Sequence, residues 1–493
     1  MGLISAENVV TYVSMVILFI INLLNYIDRY TIVGVLPELK NGTQNGFHEY
    51  LSDTKVAFLQ TGFIISYMCF SPVFGYLGDR FSRKHIMGVG VILWSSFTAA
   101  SSFAPNYWAL LVMRSMVGVG EASYVTVAPT IIADLFSARM RVRALSIYYI
   151  AIPVGTAMGY GVGSGAATIA NETLSKNYTA THDLMKPWRF ALRVTPVLGI
   201  LCALLILCIL REPARGQKEG VSVRGKSGVR AYFEDIIYCV KIPSYMLSAL
   251  GFAMGTFSIG ALAQWASLFI YKTSRDIGHP YSNTLTNLLF GVVTVVGGLG
   301  GTVVGSETSK RLHSKVGPAS DCFVCATSLL LGGVFTYLAL TTSRHILELS
   351  WVLMFFAVFS LCLCWAPVTV IVLNTVIPER RSTAAGFQVF LSHILGDSFS
   401  PLLVGAVSDT IRGDHKTDHA ESLSLLKALY ITCFAAVIGS GLFLMATFYI
   451  REDCHKVDIY ANKHRSKLGR DPTSSESDTE PLVNSDYNAA VNE

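Results

Sequence analysis

The chain has 493 residues, 52% of them hydrophobic and only 14% charged, with a mean hydropathy of +0.48 and a formal net charge of +5. That balance excludes a soluble all-helical enzyme, and the positive excess reads as the bias of membrane loops, not as a nucleic-acid footprint. The ten cysteines sit mostly singly inside apolar runs, and Cys322/Cys325 and Cys362/Cys364 have no His or Asp at ligand spacing, so no metal or redox framework is expected.

A bilayer core of about 30 Å asks for about 20 apolar residues per helix. Runs of that length predict twelve spans, near 10–36, 56–78, 86–105, 107–133, 143–169, 188–210, 245–271, 285–306, 320–341, 347–373, 382–408 and 423–450. Helices are the expected form, because backbone groups in hydrocarbon must be satisfied within the segment and no alternating barrel pattern is present. The first run has full spanning length, lacks a basic start and carries charges near its end, which reads as a first helix and not as a cleavable leader.

In chain order, the first span holds Asp28 and Arg29, and the first connection holds the sequon at Asn41. The second connection is GYLGDRFSRK, Gly75 to Lys84. Its glycines Gly75 and Gly78 allow close helix approach. Asp79 suits a neighbouring helix N-terminus, while Arg80, Arg83 and Lys84 suit an anionic cytosolic leaflet. This is the composition of a latch made and broken as two halves rock. The fourth span holds Arg114 and Glu121, seven residues apart and so on one helix face, about 10 Å apart along the axis. Arg139, Arg141 and Arg143 follow in the fourth connection, and Asn171 and Asn177 form sequons in the fifth.

A polar, basic segment after the sixth span divides the chain. The expected organisation is an amino-terminal six-helix half over 1–210, a cytosolic linker over 211–244, a carboxyl-terminal half over 245–450 and a disordered cytosolic tail over 451–493. In the second half Glu307 stands beside Lys310 and Arg311, the position equivalent by half-repeat to the decapeptide, where a latch is expected. His393 and Asp397 lie one turn apart and face the same way. The segment Arg141–Gly155 loosely repeats as Arg380–Gly396. Lys and Arg collect on the even-numbered connections, which puts both termini in the cytosol and the sequons on the opposite side.

The decapeptide resembles the loop motif between the second and third helices of the major facilitator superfamily. A narrower resemblance is carried by INLLNYIDRYTIVGVLP (Ile21–Pro37), RSMVGVGEASYVTVAPTIIADLF (Arg114–Phe136), ALRVTP (Ala191–Pro196) and LSHILGDSFSPLLVGAVSD (Leu391–Asp409). In these blocks the chain is similar to the Spinster proteins, a branch linked to sphingolipid and lysophospholipid transport. The stretch Cys364–Arg381 and the short amino terminus depart from that pattern. The resemblance implies an all-α membrane protein of twelve helices in two six-helix halves. It also implies a secondary lipid carrier coupled to protons, in which Asp28, Arg114 and Glu121 match residues implicated in proton-coupled cycling.

Ionisable residues inside spans are costly and mark function by default. The expected mechanism has Arg114 binding phosphate or pairing with Asp28, with protonation of Asp28 or Glu121 releasing that pair; a moving helix changes a carboxylate's surroundings and hence its proton affinity. Arg29 is expected to snorkel or pair locally, and His393–Asp397 either titrates or braces a glycine-broken helix. Between these charges the helices are aromatic and apolar (Tyr26, Tyr30, Tyr124, Tyr148, Tyr149, Phe252, Phe257, Trp265), which fits an amphiphile with one charged head. The alternative is a proton-coupled or facilitative carrier of small organic anions or sugars. No GxSxG elbow, HExxH helix or phosphate loop appears, so neither an enzyme nor an ATP-driven pump is expected, and no cofactor beyond a proton gradient. The tail segment DTEPLV resembles an acidic dileucine signal through Asp478, Leu482 and Val483, which with the family resemblance points to late endosome or lysosome, then plasma membrane, and to sorting adaptors as partners.

Overall fold

The computed structural model describes residues 6–136, 138–177, 186–210, 212–213, 229–377 and 380–467. The amino-terminal half contains α1 (Ala6–Gly34), the short α2 (Leu36–Lys40), α3 (Asp53–Arg80), α4 (Arg83–Ser101), α5 (Tyr107–Leu135), α6 (Ala138–Asn177) and α7 (Pro187–Cys208). A connecting helix, α8 (Val229–Val240), precedes α9 (Pro243–Asp276), α10 (Asn283–Val316), α11 (Ala319–Thr342), α12 (Leu347–Cys362), α13 (Trp365–Thr375), α14 (Arg381–Ser392), α15 (Phe399–Arg412) and α16 (Asp418–Lys467). A π-helical turn, His393–Asp397, joins α14 to α15. Eleven of the expected spans are long and apolar enough to cross a membrane, with α12–α13 and α14–α15 each forming one span. The twelfth is α4, 19 residues long, whose Arg83-Lys84-His85 start and Ser/Thr content make it the least apolar.

Local chemistry sets the helix ends. Ser52, Asn106 and Ser282 accept hydrogen bonds from Lys55, Ala109 and Leu285 N–H groups at the starts of α3, α5 and α10. Pro187 and Pro243 open α7 and α9, where a missing N–H costs nothing. Within the first half, α6 lies on α1 along Gly155, Gly159 and Gly163. A Cβ at those positions would come within 2.7, 2.7 and 2.2 Å of the carbonyl oxygens of Leu23, Ile27 and Thr31, so the two backbones are in direct contact.

The halves meet along two seams, α6 against α10 and α3 against α15. The face bearing the α3–α4 turn is called the basic face here. The cross-half contacts cluster toward the opposite face: Thr168 hydroxyl to Thr284 hydroxyl at 3.1 Å, Asn283 Nδ2 to the Gly34 carbonyl at 2.9 Å, and Thr61 hydroxyl to the Ser398 carbonyl at 2.8 Å.

Two expected boundaries change. The α6 helix continues to Asn177, past the expected end at 169, so Asn171 and Asn177 lie on a helix and not in a connection. Likewise α16 continues to Lys467, so 451–467 is not a disordered tail; Asp453 is buried and accepts from the Ser244 N–H at 3.2 Å and hydroxyl at 2.7 Å, which fastens this extension to the start of α9. Asp478, Leu482 and Val483 lie outside the described residues.

Candidate functional site

Charged side chains from α1, α5 and the π-turn converge at mid-span. Asp28 is fully buried and receives hydrogen bonds from Thr98 of α4 at 2.9 Å and from Thr195 of α7, with Arg114 Nη1 at 3.7 Å. Three helices therefore aim a hydroxyl or a guanidinium at one carboxylate on a fourth, which is how an ion survives in the interior. This is the Asp28–Arg114 pairing read from the sequence.

Glu121 lies two turns further along α5, 1% exposed, and its Oε1 has no hydrogen-bond partner among the described residues. No hydrogen bond or ion pair among the described residues ties it to Asp28 or Arg114. Arg29 is 8% exposed, and its Nε and Nη2 also lack partners. Its guanidinium stands 4.7 Å from the centre of the Phe63 ring, 5.8 Å from Tyr26 and 5.9 Å from Tyr67. The expected snorkelling or local salt bridge is not what the structure holds: Arg29 is a cation caged by aromatic faces. Sequence reasoning missed this because two of the three rings, Phe63 and Tyr67, come from α3.

In the second half, His393 Nδ1 lies 2.9 and 3.1 Å from the two Asp397 oxygens, inside the π-turn. Gly396 leaves helical geometry there (φ −96°, ψ −108°), and Tyr67 meets the His393 ring edge-on at 5.9 Å. π-Turns of this kind concentrate at functional sites because they turn side chains out of register. Tyr67 thus touches both halves of the site, Arg29 on one side and His393 on the other.

The contacts of the decapeptide differ from those expected of a latch. Arg83 is buried, bridges to Asp134 at the end of α5 at 2.5 Å and donates to the Pro213 carbonyl at 2.8 Å. Glu212 accepts from the Ser82 hydroxyl at 2.6 Å and the Arg83 N–H at 2.8 Å. Arg80 is exposed and lies over Tyr76 at 4.2 Å. Gly78 abuts Val127 of α5, where a Cβ would sit 3.1 Å away, but nothing lies within 4 Å of a Cβ at Gly75, so Gly75 makes no close helix approach. The Asp79 side chain lies outside what the structure describes. Glu307 is exposed and pairs with Arg311 on its own helix at 2.8 Å, with no bridge to another helix among the described residues. The second half instead joins α10 to α11 through a Ser309–Asp321 hydrogen bond.

A larger ionic cluster, not singled out from the sequence, seals the face opposite the basic one. Asp53 at the start of α3 sits 2.5 Å from Lys40 and 2.8 Å from Arg412 of α15. Lys40 also reaches Glu421 of α16 at 3.3 Å, and the Tyr50 hydroxyl donates to Glu421 at 2.6 Å. Asp409 of α15 accepts from the Asp53 N–H at 2.9 Å and the Thr54 N–H at 2.7 Å, so the second half caps the first turn of α3 in trans. Its sequence signal is faint: isolated charges at span ends look like ordinary helix-end residues.

Comparison with known proteins bears on this arrangement. A family model described as Major Facilitator Superfamily matches residues 18–401. Protein spinster homolog 1 of Xenopus laevis is 41% identical over 455 residues, covering 90% of this chain and 82% of the relative. The Homo sapiens protein of that name is 39% identical with the same coverage. The Sphingosine-1-phosphate transporter SPNS2 of Xenopus tropicalis is 37% identical over 451 residues, 90% of this chain and 82% of the relative. Among solved structures, a bacterial homolog of the human lysosomal transporter Spinster, inward-facing and unoccupied, superposes with a TM-score of 0.76 at 20% identity, over 90% of this chain and 98% of that one. With the twelve-helix fold and its paired halves, these matches make the chain a transporter of the Spinster branch of the major facilitator superfamily, and not an enzyme.

Proposed function

We propose that this protein carries a lipid with one anionic head, of the sphingosine 1-phosphate or lysophospholipid type, across its membrane by alternating access coupled to protons. The observation that carries this reading is Arg29, a buried guanidinium without hydrogen-bond partners for two of its nitrogens, in a cage of Phe63, Tyr26 and Tyr67. Such a fork suits a phosphate, and the surrounding rings suit an alkyl chain better than a sugar's hydroxyls. The relative that is a sphingosine-1-phosphate transporter supports the same substrate class.

Charge bookkeeping supplies the coupling. Asp28 and Arg114 offset each other, leaving Arg29 and Glu121 as the second opposed pair. With Glu121 ionised the four charges carried by α1 and α5 sum to zero; a proton on Glu121 leaves one of their cations uncompensated, the complement of one anionic head. Lipid loading and proton loading then favour each other, because uncompensated charge in a low-dielectric site is costly.

The excess of Lys and Arg makes the basic face cytosolic. The sealed opposite face then corresponds to an inward-open state, with the halves over 1–210 and 245–450 rocking about the site. In this reading Asn41, in an exposed turn where its Oδ1 accepts from the Thr43 N–H at 3.1 Å, is the best placed of the three sequons for glycosylation. The tail segment's likeness to an acidic dileucine signal and the family resemblance favour the late endosome or lysosome over the plasma membrane.

The test is uptake of radiolabelled sphingosine 1-phosphate and lysophosphatidylcholine into proteoliposomes, with and without a pH gradient, for the natural protein, Glu121→Gln and Arg29→Ala. Gradient-stimulated lipid uptake lost in both variants is the expected result. Lipid uptake indifferent to the gradient removes proton coupling, and uptake of soluble organic anions in place of either lipid removes the substrate class.

A further inference from the structure

The connecting helix α8 has three faces. One packs on the protein: Cys239 is fully buried with Tyr245, Val372, Val376 and Ala384, Asp235 bridges to Arg380 at 3.2 Å, and the Arg380 guanidinium lies 4.5 Å over the Tyr238 ring. A second, around Glu234, is polar and exposed. The third is apolar: Tyr232, Phe233, Ile237 and Val240 are 48, 58, 54 and 49% exposed. At 100° per residue these four span an arc of about 140° on one side of the helix, the width of an amphipathic stripe. No described residue covers it.

We propose that this arc lies in the bilayer, so that α8 is an interfacial helix bedded in the leaflet at the basic face. At 12 residues it is too short to span a membrane. It is fastened to the ends of three membrane-spanning elements, the start of α9, the end of α13 and the start of α14, so the bilayer's boundary passes at its level. The arc carries no charge, and the exposed Lys241 follows it at the end of α8, where lipid phosphates lie. The Asp235–Arg380 bridge then ties the leaflet to the first turn of α14, the helix that leads into the His393–Asp397 turn. The inference rests on the membrane-spanning fold alone and is independent of which solute is carried.

The test places a nitroxide at residue 233, 234 or 237 (Phe233→Cys, Glu234→Cys, Ile237→Cys) in liposome-reconstituted protein whose exposed Cys69 and Cys208 are replaced by Ser. Phe448→Cys, 82% exposed on α16, is the lipid-facing reference. Positions 233 and 237 are expected to match 448, with collisions favouring oxygen over a water-soluble nickel chelate, and 234 to show the ratio inverted several-fold. Nickel access at 237 equal to that at 234 means that the arc faces water and overturns the proposal. Exclusion of both reagents at 237 means that protein covers the arc and overturns it equally. A melting temperature and gel-filtration profile matching the unlabelled protein show that the comparison is made on folded carrier.

Discussion

Asp28 and Glu121 are both buried carboxylates, yet their partners assign them different work. Three side chains converge on Asp28, and replacing it with Asn leaves the fully buried Arg114 guanidinium without a counter-ion. Breaking a buried pair in this way costs about 3–5 kcal/mol. Asp28→Asn should therefore lower the melting temperature of the purified protein and reduce uptake in proportion to the folded fraction. Glu121→Gln should lower the melting temperature less than Asp28→Asn while losing gradient stimulation, because Oε1 has no hydrogen-bond partner to lose. Equal melting for both variants would place Asp28 among the titrating groups and not the structural ones. For Arg29, Ala should cost roughly 10–100-fold in uptake at low substrate, the worth of about 1.5–3 kcal/mol for a charge-assisted hydrogen bond. Lys should recover only part of this, since it lacks the planar fork. The four ionisable residues of α1 and α5 were legible in the sequence because charge inside an apolar run is conspicuous. Their partners were not: Thr98, Thr195 and Phe63 are ordinary span residues until the helices pack.

Helix-to-helix contacts decide which elements can move. The α6 glycines seat on α1 carbonyls with no room for a side chain, so Gly159→Leu should abolish folded protein, whereas Gly75→Leu, with open space around it, should not; surface expression of the two variants distinguishes them. The latch at the basic face is less permanent. Burial pushes the Glu212 carboxyl up, but bonds from the Ser82 hydroxyl and the N–H groups of Arg83 and Lys84, with the Arg83 charge, more than offset it and hold the group below the usual glutamate range. A carboxylate with a lowered folded-state pKa contributes stability that is present above the ordinary glutamate value and is lost as pH falls through the lowered one. The latch should thus stay closed through mild acid. Hydrogen exchange at the Arg83 N–H should rise only below the ordinary glutamate range, and Glu212→Gln should bring that rise to neutral pH. The decapeptide was conspicuous in the sequence, but Asp134 and Glu212, the partners of its Arg83, come from the end of α5 and the segment after α7, and Gly75 and Glu307 make no contact with another helix among the described residues.

At the scale of the molecule, the seal opposite the basic face is an arrangement of charges that can separate without stranding any of them. Lys40 and Asp53 belong to the first half and pair with each other at 2.5 Å; Arg412 pairs with Asp409, and Lys272 with Glu421 at 3.1 Å, within the second. When the halves part, each keeps an internal counter-ion, and what is lost is the cross-half set: Asp53–Arg412, Lys40–Glu421 and the Asp409 cap on α3. Those bonds therefore bias the two states without locking either. Asp409→Ala removes the cap and frees two N–H groups, and a loss of about 1.5–3 kcal/mol shifts the closed-to-open ratio about 10–100-fold. A cysteine at the seam reports that shift: Thr61 is 5% exposed beside Ser398, so Thr61→Cys should react slowly with an impermeant maleimide supplied from the opposite face. The rate should rise about 10-fold or more in the Asp409→Ala background, and stay unchanged with Glu307→Ala, whose partner lies on its own helix. An unchanged rate in the Asp409 variant would mean that the α6–α10 seam alone holds the face shut. The ionic cluster would then only set the register in which the two halves close.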